Sequence, residues 1–367
     1  MKIPYVNLSA QWHDERTELL PLIESVLAGG NYVGGKYIEQ FEQKIAQVCG
    51  VQQAVALNSG TDALICALRA LEIGHGDEVI TPPNSFVAST AAIVHVGARP
   101  VFVDVREDQN IDPDLIEAAI TSSTRAIMPV HLSGRIAEMD SIMNIAERYG
   151  LEVVEDAAQA VGSLYRKHPS GSFGVMGCFS THPLKNLNAC GDGGFITVND
   201  EKLASRIRQM RNHGLIDRDT VNEFGQVSRM DSLQAAVLLF RLERLADVTR
   251  RRRNNAAQYR AELNRKSVFI PPEKDWEFHT YHTFVIQLNN RDEAREFLYE
   301  RGIDTAVHYP TPIHLQPASK ELGYTKGNFP ETEKQSKRIL TLPVNQYLSC
   351  EDIRYVAQCV NEFAEKT

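Results

Sequence analysis

Three short segments of this chain carry residues able to do chemistry together. Asn58-Ser59-Gly60-Thr61-Asp62 stands where a strand-like run gives way to a helical pattern. Free N–H groups and the positive end of a helix attract an anion, typically a phosphate, and Gly60 lets the backbone come close. The same residues also read as a plain helix cap. Glu155-Asp156-Ala157-Ala158-Gln159 closes an apolar run. In open α/β sheets ligands collect at such strand ends, and an acidic pair there is costly to bury unless it is paired. A cap on a surface loop is the plainer alternative. Ser180-Thr181-His182-Pro183-Leu184-Lys185-Asn186 runs from a strand-like stretch, 175–179, toward Gly191-Asp192-Gly193-Gly194. A lone lysine is ordinarily a solvated surface group. Lys185, held between a strand and a glycine turn, is placed for function, and Ser180 can give a hydroxyl hydrogen bond to the anion held by 59–61.

A lysine can form a Schiff base, an aspartate can pair with a pyridinium nitrogen, and a helix end can hold a phosphate. Those are the three handles that pyridoxal 5'-phosphate (PLP) requires. An opposite charge nearby shifts a pKa by roughly 1–3 units toward the charged form, and a protonated ring is the better electron sink. No Walker A loop and no G-x-G-x-x-G is present, so the segments do not point to ATP or NAD.

Such residues converge only if alternating elements place them. Between about Val51 and Val198 short β-branched runs alternate with helical patterns. The runs 54–57, 78–81, 100–105, 126–130 and 151–158 read as strands. Helices are expected over Thr61–Leu71, where Leu64, Leu68 and Leu71 share a face, over Val87–His95, from Asp112-Pro113 onward, and over Met139–Tyr149. This alternation implies an α/β fold with a mainly parallel central sheet flanked by helices. A helix over Ser232–Leu245 leads to the run Arg250–Arg253, read as a solvated helix face, not a nucleic-acid patch. Strands such as 281–288 and helices such as Asp292–Arg301 then suggest a smaller α+β domain. The expected division is a large domain over 1–245, with an N-terminal arm, and a small domain over 246–367.

With 39 Lys+Arg against 47 Asp+Glu, the 367-residue chain carries a formal charge of −8, which argues against broad nucleic-acid or anionic-membrane binding. No signal-peptide core or membrane-length apolar run occurs. Six scattered cysteines fit reduced thiols of a cytoplasmic protein, and neither C-x-x-C nor H-E-x-x-H supports a metal site.

Around and beyond these segments, the chain carries PYVNL (4–8), NYVGG (31–35), GDEVITPPNSFVAS (76–89), FSTHPLKNLNACGDGG (179–194), SRMDSLQAA (228–236) and HYPTPIHLQPA (308–318). In this order and spacing, over nearly the whole chain, it resembles the DegT/StrS-type sugar aminotransferases, within the fold type I PLP-dependent transferases. The resemblance implies that Lys185 is the Schiff-base lysine and proton shuttle. It implies that Asp156 pairs with the pyridine nitrogen, Gln159 bonds the ring hydroxyl and Phe86 stacks on the ring. Gly60, Thr61 and Ser180 would hold the phosphate. Arg229 would reach across a homodimer toward the amino donor's carboxylate or the sugar nucleotide. His308 and Tyr309 lie in an H-Y-P-x-P loop of the kind that lines the sugar-nucleotide site, more typically in relatives acting at C3 than at C4. His182 reads either as facing substrate or as a packed histidine.

One position departs from the pattern. Many relatives carry an asparagine from the partner subunit where this chain has Val227, which cannot donate that hydrogen bond. Gln226 next door is a candidate substitute. Histidine replaces the lysine in dehydratases of the family, and Lys185 argues against that activity. The expectation is amino transfer from an amino acid, L-glutamate on family grounds, to a nucleotide-linked ketosugar, at C3 in preference to C4. A PLP-binding regulatory protein, an aminotransferase of a non-nucleotide cyclic ketone (an inosose) and an NAD-type dehydrogenase are the alternatives.

Overall fold

Alternation of β-branched runs with helical segments produces a seven-stranded sheet in the computed structural model, which describes residues 2–366. Its order is Gln53–Leu57, Gly194–Val198, Met176–Ser180, Glu152–Asp156, Thr124–Ile127, Glu78–Thr81, Arg99–Phe102. Gly194–Val198 runs antiparallel to both its neighbours, and every other pairing is parallel. The side-chain period of two sorts each strand onto two cores. Val55 and Leu57 join the apolar face of the helix Gly60–Ala70. Ala54 and Ala56 pack on the other side with Phe41, Ile45 and Leu238. Phe179 and Phe195, directly paired across two strands, stack at 4.5 Å on that side.

Most expected elements form within a residue or two of their anticipated bounds. Glu78–Thr81 is a strand and Met139–Tyr149 a helix. Others differ for physical reasons. After Asp112-Pro113 the chain makes only two 3-10 turns, Pro113–Leu115 and Glu117–Ala119. Asp112 accepts from the Asp114 N–H as a cap should, but the second turn ends where Ile120 adopts extended backbone. The strand expected over 100–105 ends at Phe102, because the last residues turn away and Asp104 caps Pro330–Ser336 through Glu331 N and Thr332 N. Ser232–Leu242 stops short and a second helix, Leu245–Glu262, carries the arginine run.

That run corrects one expectation. Arg250 and Arg251 are exposed and pair with Asp247. Arg252 is buried, and Arg253 pairs with Glu273 and donates to the His279 carbonyl. A helix lying against the chain turns only part of a four-residue run to solvent. Beyond it, Phe284–Gln287 and Ile339–Leu342 form an antiparallel pair. Around this pair Ile3, Tyr259, Val356 and Val360 build a separate apolar cluster.

Candidate active site

Parallel strands bring their C-terminal ends to one edge of the sheet, where ligands of α/β proteins collect. Asp156 ends one strand and Ser180 its neighbour. The strand Gln53–Leu57 leads through Asn58 and Ser59 to the helix beginning at Gly60. A cavity of about 430 Å³ opens over these ends.

At the helix start, Ser59 caps by accepting from Asp62 N at 3.1 Å, and Ala63 N donates to the Ser59 carbonyl. Gly60 and Thr61, ahead of them, have no preceding turn to donate into. The approach is tight. A Cβ at Gly60 would lie 2.7 Å from Ser180 Cβ, and one at Gly194 2.4 Å from the Ser59 carbonyl carbon. Glycine at both positions lets the helix end, the strand end and the antiparallel strand meet. The result is a cradle of backbone N–H groups with the Ser180 hydroxyl at its side. Ser59 therefore caps the helix, while the Gly60 and Thr61 N–H groups are left for another acceptor.

The acidic pair divides by strand alternation. Glu155 is fully buried and accepts from the N–H groups of Gly171, Phe173 and Gly174 and from His131 Nε2. The Ala137 N–H donates to His131 Nδ1, so Nε2 carries the hydrogen. Glu155 is thus a structural anchor for the loop beneath the strand. Asp156 faces the cavity, accepting from Ser89 Oγ at 2.7 Å and from the Ala158 N–H at 3.2 Å. Burial raises its pKa, while the Ser89 and Ala158 bonds and the Lys185 charge pull it down. A cationic ring nitrogen would relieve that burial cost.

Lys185 follows a turn closed by its own N–H on the His182 carbonyl. Its Nζ makes no hydrogen bond or ion pair with any described residue, yet the side chain is half-buried in the cavity wall. Burial lowers its pKa to about 8, partly opposed by Asp156. A lysine poised near neutrality is a nucleophile and a proton carrier. Gln159 is oriented by the Ser133 N–H, which donates to Oε1 at 2.7 Å and leaves the Nε2 donor, 3.4 Å from the Tyr309 hydroxyl, toward the cavity. Phe86 is 56% exposed, its ring 5.8 Å from that of Tyr309. His308 shares a hydrogen bond with Thr341 Oγ1, and burial lowers its pKa to about 4.

All the anticipated cofactor contacts and His308, Tyr309 and His182 therefore line one cavity. Arg229 does not. It donates to Asn212 Oδ1, outside the cavity, and Val227 is 52% exposed. Gln226 is taken up within the chain by Asp62 and Arg69. Sequence reasoning missed Ser89, Tyr5, Arg252 and His282. Ser89 and Tyr5 lie inside motifs that carry the resemblance, which was the available signal.

Residues 13–361 match the DegT/DnrJ/EryC1/StrS aminotransferase family. The chain belongs to this family. It is 40% identical to a pleiotropic regulatory protein of Geobacillus stearothermophilus, over 99% of each chain. It is also 40% identical to a dTDP-3-amino-3,4,6-trideoxy-α-D-glucose transaminase of Streptomyces venezuelae, covering 100% of this chain and 97% of that one. The crystal structure of S. venezuelae DesV in complex with a ketimine intermediate superposes with a TM-score of 0.97 at 40% identity, covering 100% and 99% of the two chains. The fold is that of the fold type I PLP enzymes, and the family's members are PLP-dependent sugar aminotransferases, several solved with PLP or PMP bound. The residues here fit that cofactor: an unpaired amine, a buried carboxylate and a glycine-lined anion cradle share one cavity.

Proposed function

We propose that this chain transfers an amino group from an amino acid, L-glutamate by preference, to C3 of a nucleotide-linked ketosugar. The observation that carries the reading is the unpaired Lys185 amine in one cavity with buried Asp156 and the Gly60–Ser180 cradle. Preference for C3 rests on His308 and Tyr309, the part of the H-Y-P-x-P loop in the cavity wall, and on the 3-amino sugar named for the Streptomyces relative.

When bound, PLP supplies an electron sink that stabilises negative charge developing at a substrate carbon. Lys185 would hold the cofactor, and its Nζ would take a proton from the donor's α-carbon. In the second half-reaction Lys185 delivers a proton to the carbon of the new amine. Asp156 keeps the ring nitrogen protonated, with Ser89 holding the carboxylate in place. Gly60, Thr61 and Ser180 would hold the phosphate, Gln159 Nε2 the ring hydroxyl, and Phe86 the ring face.

We further propose a homodimer with the site completed at the interface. Ile216, Val221, Phe224 and Val227 cluster in sequence and are exposed, Phe224 at 92%, which suits burial against a second copy. Arg229 beside them would then serve the neighbouring cavity. Six free cysteines support a cytoplasmic setting, and no helix among the described residues is long and apolar enough to cross a membrane.

A regulatory protein that binds PLP without transamination is the second reading, favoured by the name of the Geobacillus relative and by Val227. A panel of aminosugars separates the possibilities. The PLP form should convert to PMP with 3-amino nucleotide sugars. Conversion only with 4-amino sugars would overturn the C3 assignment, and conversion only with an aminated inositol would overturn the nucleotide-sugar assignment.

A further inference from the structure

Arg252 is a buried cation that the mechanism above does not use. It lines the cavity that holds Lys185, at 5% exposure. Nη1 donates to the carbonyls of Tyr281 and His282, at 3.1 and 3.2 Å. Nε is buried without a partner, and Nη2 has no partner among the described residues. No carboxylate pairs with this guanidinium, although the neighbouring arginines 250, 251 and 253 all have acidic partners. An unpaired buried charge is expensive, and burial depresses even the arginine pKa to about 10. A ligand anion would remove that cost.

The surroundings select the kind of anion. Tyr5 lines the same wall within the field of Arg252, and its hydroxyl has no protein partner. Burial raises the Tyr5 pKa, so it remains an O–H donor. His282, also in the wall, is kept neutral by burial and lies in the fields of both Lys185 and Arg252. One guanidinium among neutral donors matches a single negative charge. The phosphate already has its own cradle at Gly60.

We propose that Arg252, with the Tyr5 hydroxyl, forms the carboxylate subsite of this cavity and takes the carboxylate of the amino-acid donor. An α-amino acid carries its carboxylate on the carbon bearing the amine. A subsite in the same cavity as Lys185 holds the acid end while the amine faces the reacting centre. The same chemistry would bind the carboxylate of a hexuronate sugar, and the test separates the two sources. The inference rests on the aminotransferase reading for the donor's identity, but the carboxylate subsite itself does not depend on turnover.

Binding of glutarate, a dicarboxylate without an amine, to the PLP-loaded protein is measured by titration calorimetry for wild type, Arg252→Gln, Arg252→Lys and Tyr5→Phe. Loss of one charge-assisted bond predicts roughly 10–100-fold weaker binding in Arg252→Gln and a smaller loss in Tyr5→Phe, with partial recovery in Arg252→Lys. Conversion of the PLP form to PMP is then followed with glutamate and with a primary amine that lacks a carboxylate, and the return half-reaction with neutral and uronate ketosugars. Arg252→Gln should lose at least about tenfold more kcat/KM with glutamate than with the carboxylate-free amine. Unchanged glutarate affinity in Arg252→Gln, or equal losses with both amines, would overturn the subsite. A defect confined to uronate ketosugars would overturn the donor assignment. If no amine converts the wild-type protein, the aminotransferase reading fails, while the glutarate titration still decides the subsite. Tyr5→Phe, which breaks no protein hydrogen bond, decides the binding question if Arg252→Gln does not fold.

Discussion

At the scale of single residues, the account depends on how burial tunes two groups. Lys185 is held near a pKa of about 8. Only the neutral amine attacks a carbonyl, so the rate of PLP loading should rise with pH and level off above about 8. A midpoint near 10.5, the ordinary lysine value, would contradict the burial argument. Asp156 depends on Ser89, whose hydroxyl donates to Oδ2. Ser89→Ala should keep the fold and weaken PLP affinity by about 1.5–3 kcal/mol, the worth of a hydrogen bond to a charged group, read from apoenzyme titration. Lys185 and Asp156 were legible in the sequence because each sits in a motif with a chemical purpose. Arg252 was not. Four adjacent arginines look alike until the helix is packed and one of them turns inward.

Elements convert those residues into a site through close approach and polar anchoring. Gly60 meets Ser180 so closely that Gly60→Ala requires the helix end to move. That substitution should cost about 1–3 kcal/mol of stability and weaken PLP binding at least about tenfold, measured by thermal unfolding and cofactor titration. Glu155 holds three backbone N–H groups and His131 from below the strand. Glu155→Gln puts an NH2 group where N–H donors converge, and the melting temperature should fall with a loss of about 1–3 kcal/mol. The parallel sheet was legible from alternating runs such as 78–81 and 139–149. The failure at Asp112-Pro113 is instructive. Cap chemistry starts a turn, but neither a cap nor the apolar residues Leu115, Ile116, Ala118 and Ala119 continue it once Ile120 turns extended.

For the whole molecule, we propose the division at 245, a large cofactor domain and a small one. The separate apolar cluster around Phe284–Gln287 and Ile339–Leu342 supports it, although Ile3 from the N-terminal arm joins that cluster. Arm and small domain should therefore unfold together in hydrogen exchange. Light scattering should give a dimer, and Phe224→Asp should shift it toward monomer and lower activity; an active monomeric wild type would contradict the shared site. A net charge of −8 on a PLP-dependent enzyme requires any anion binding to be local, and the proposed helix end, hydroxyls and few cations would make it so.

The central claim is that Lys185 makes this chain an aminotransferase. The direct measurement is the absorbance of the PLP-loaded protein on addition of glutamate, for wild type and Lys185→Ala. Wild type should bleach from the yellow PLP form to the PMP form and recover on addition of a 3-keto nucleotide sugar, while Lys185→Ala should turn over neither way. Wild-type-like conversion by Lys185→Ala, or a wild type that binds PLP yet is unchanged by every amino donor, would contradict the account.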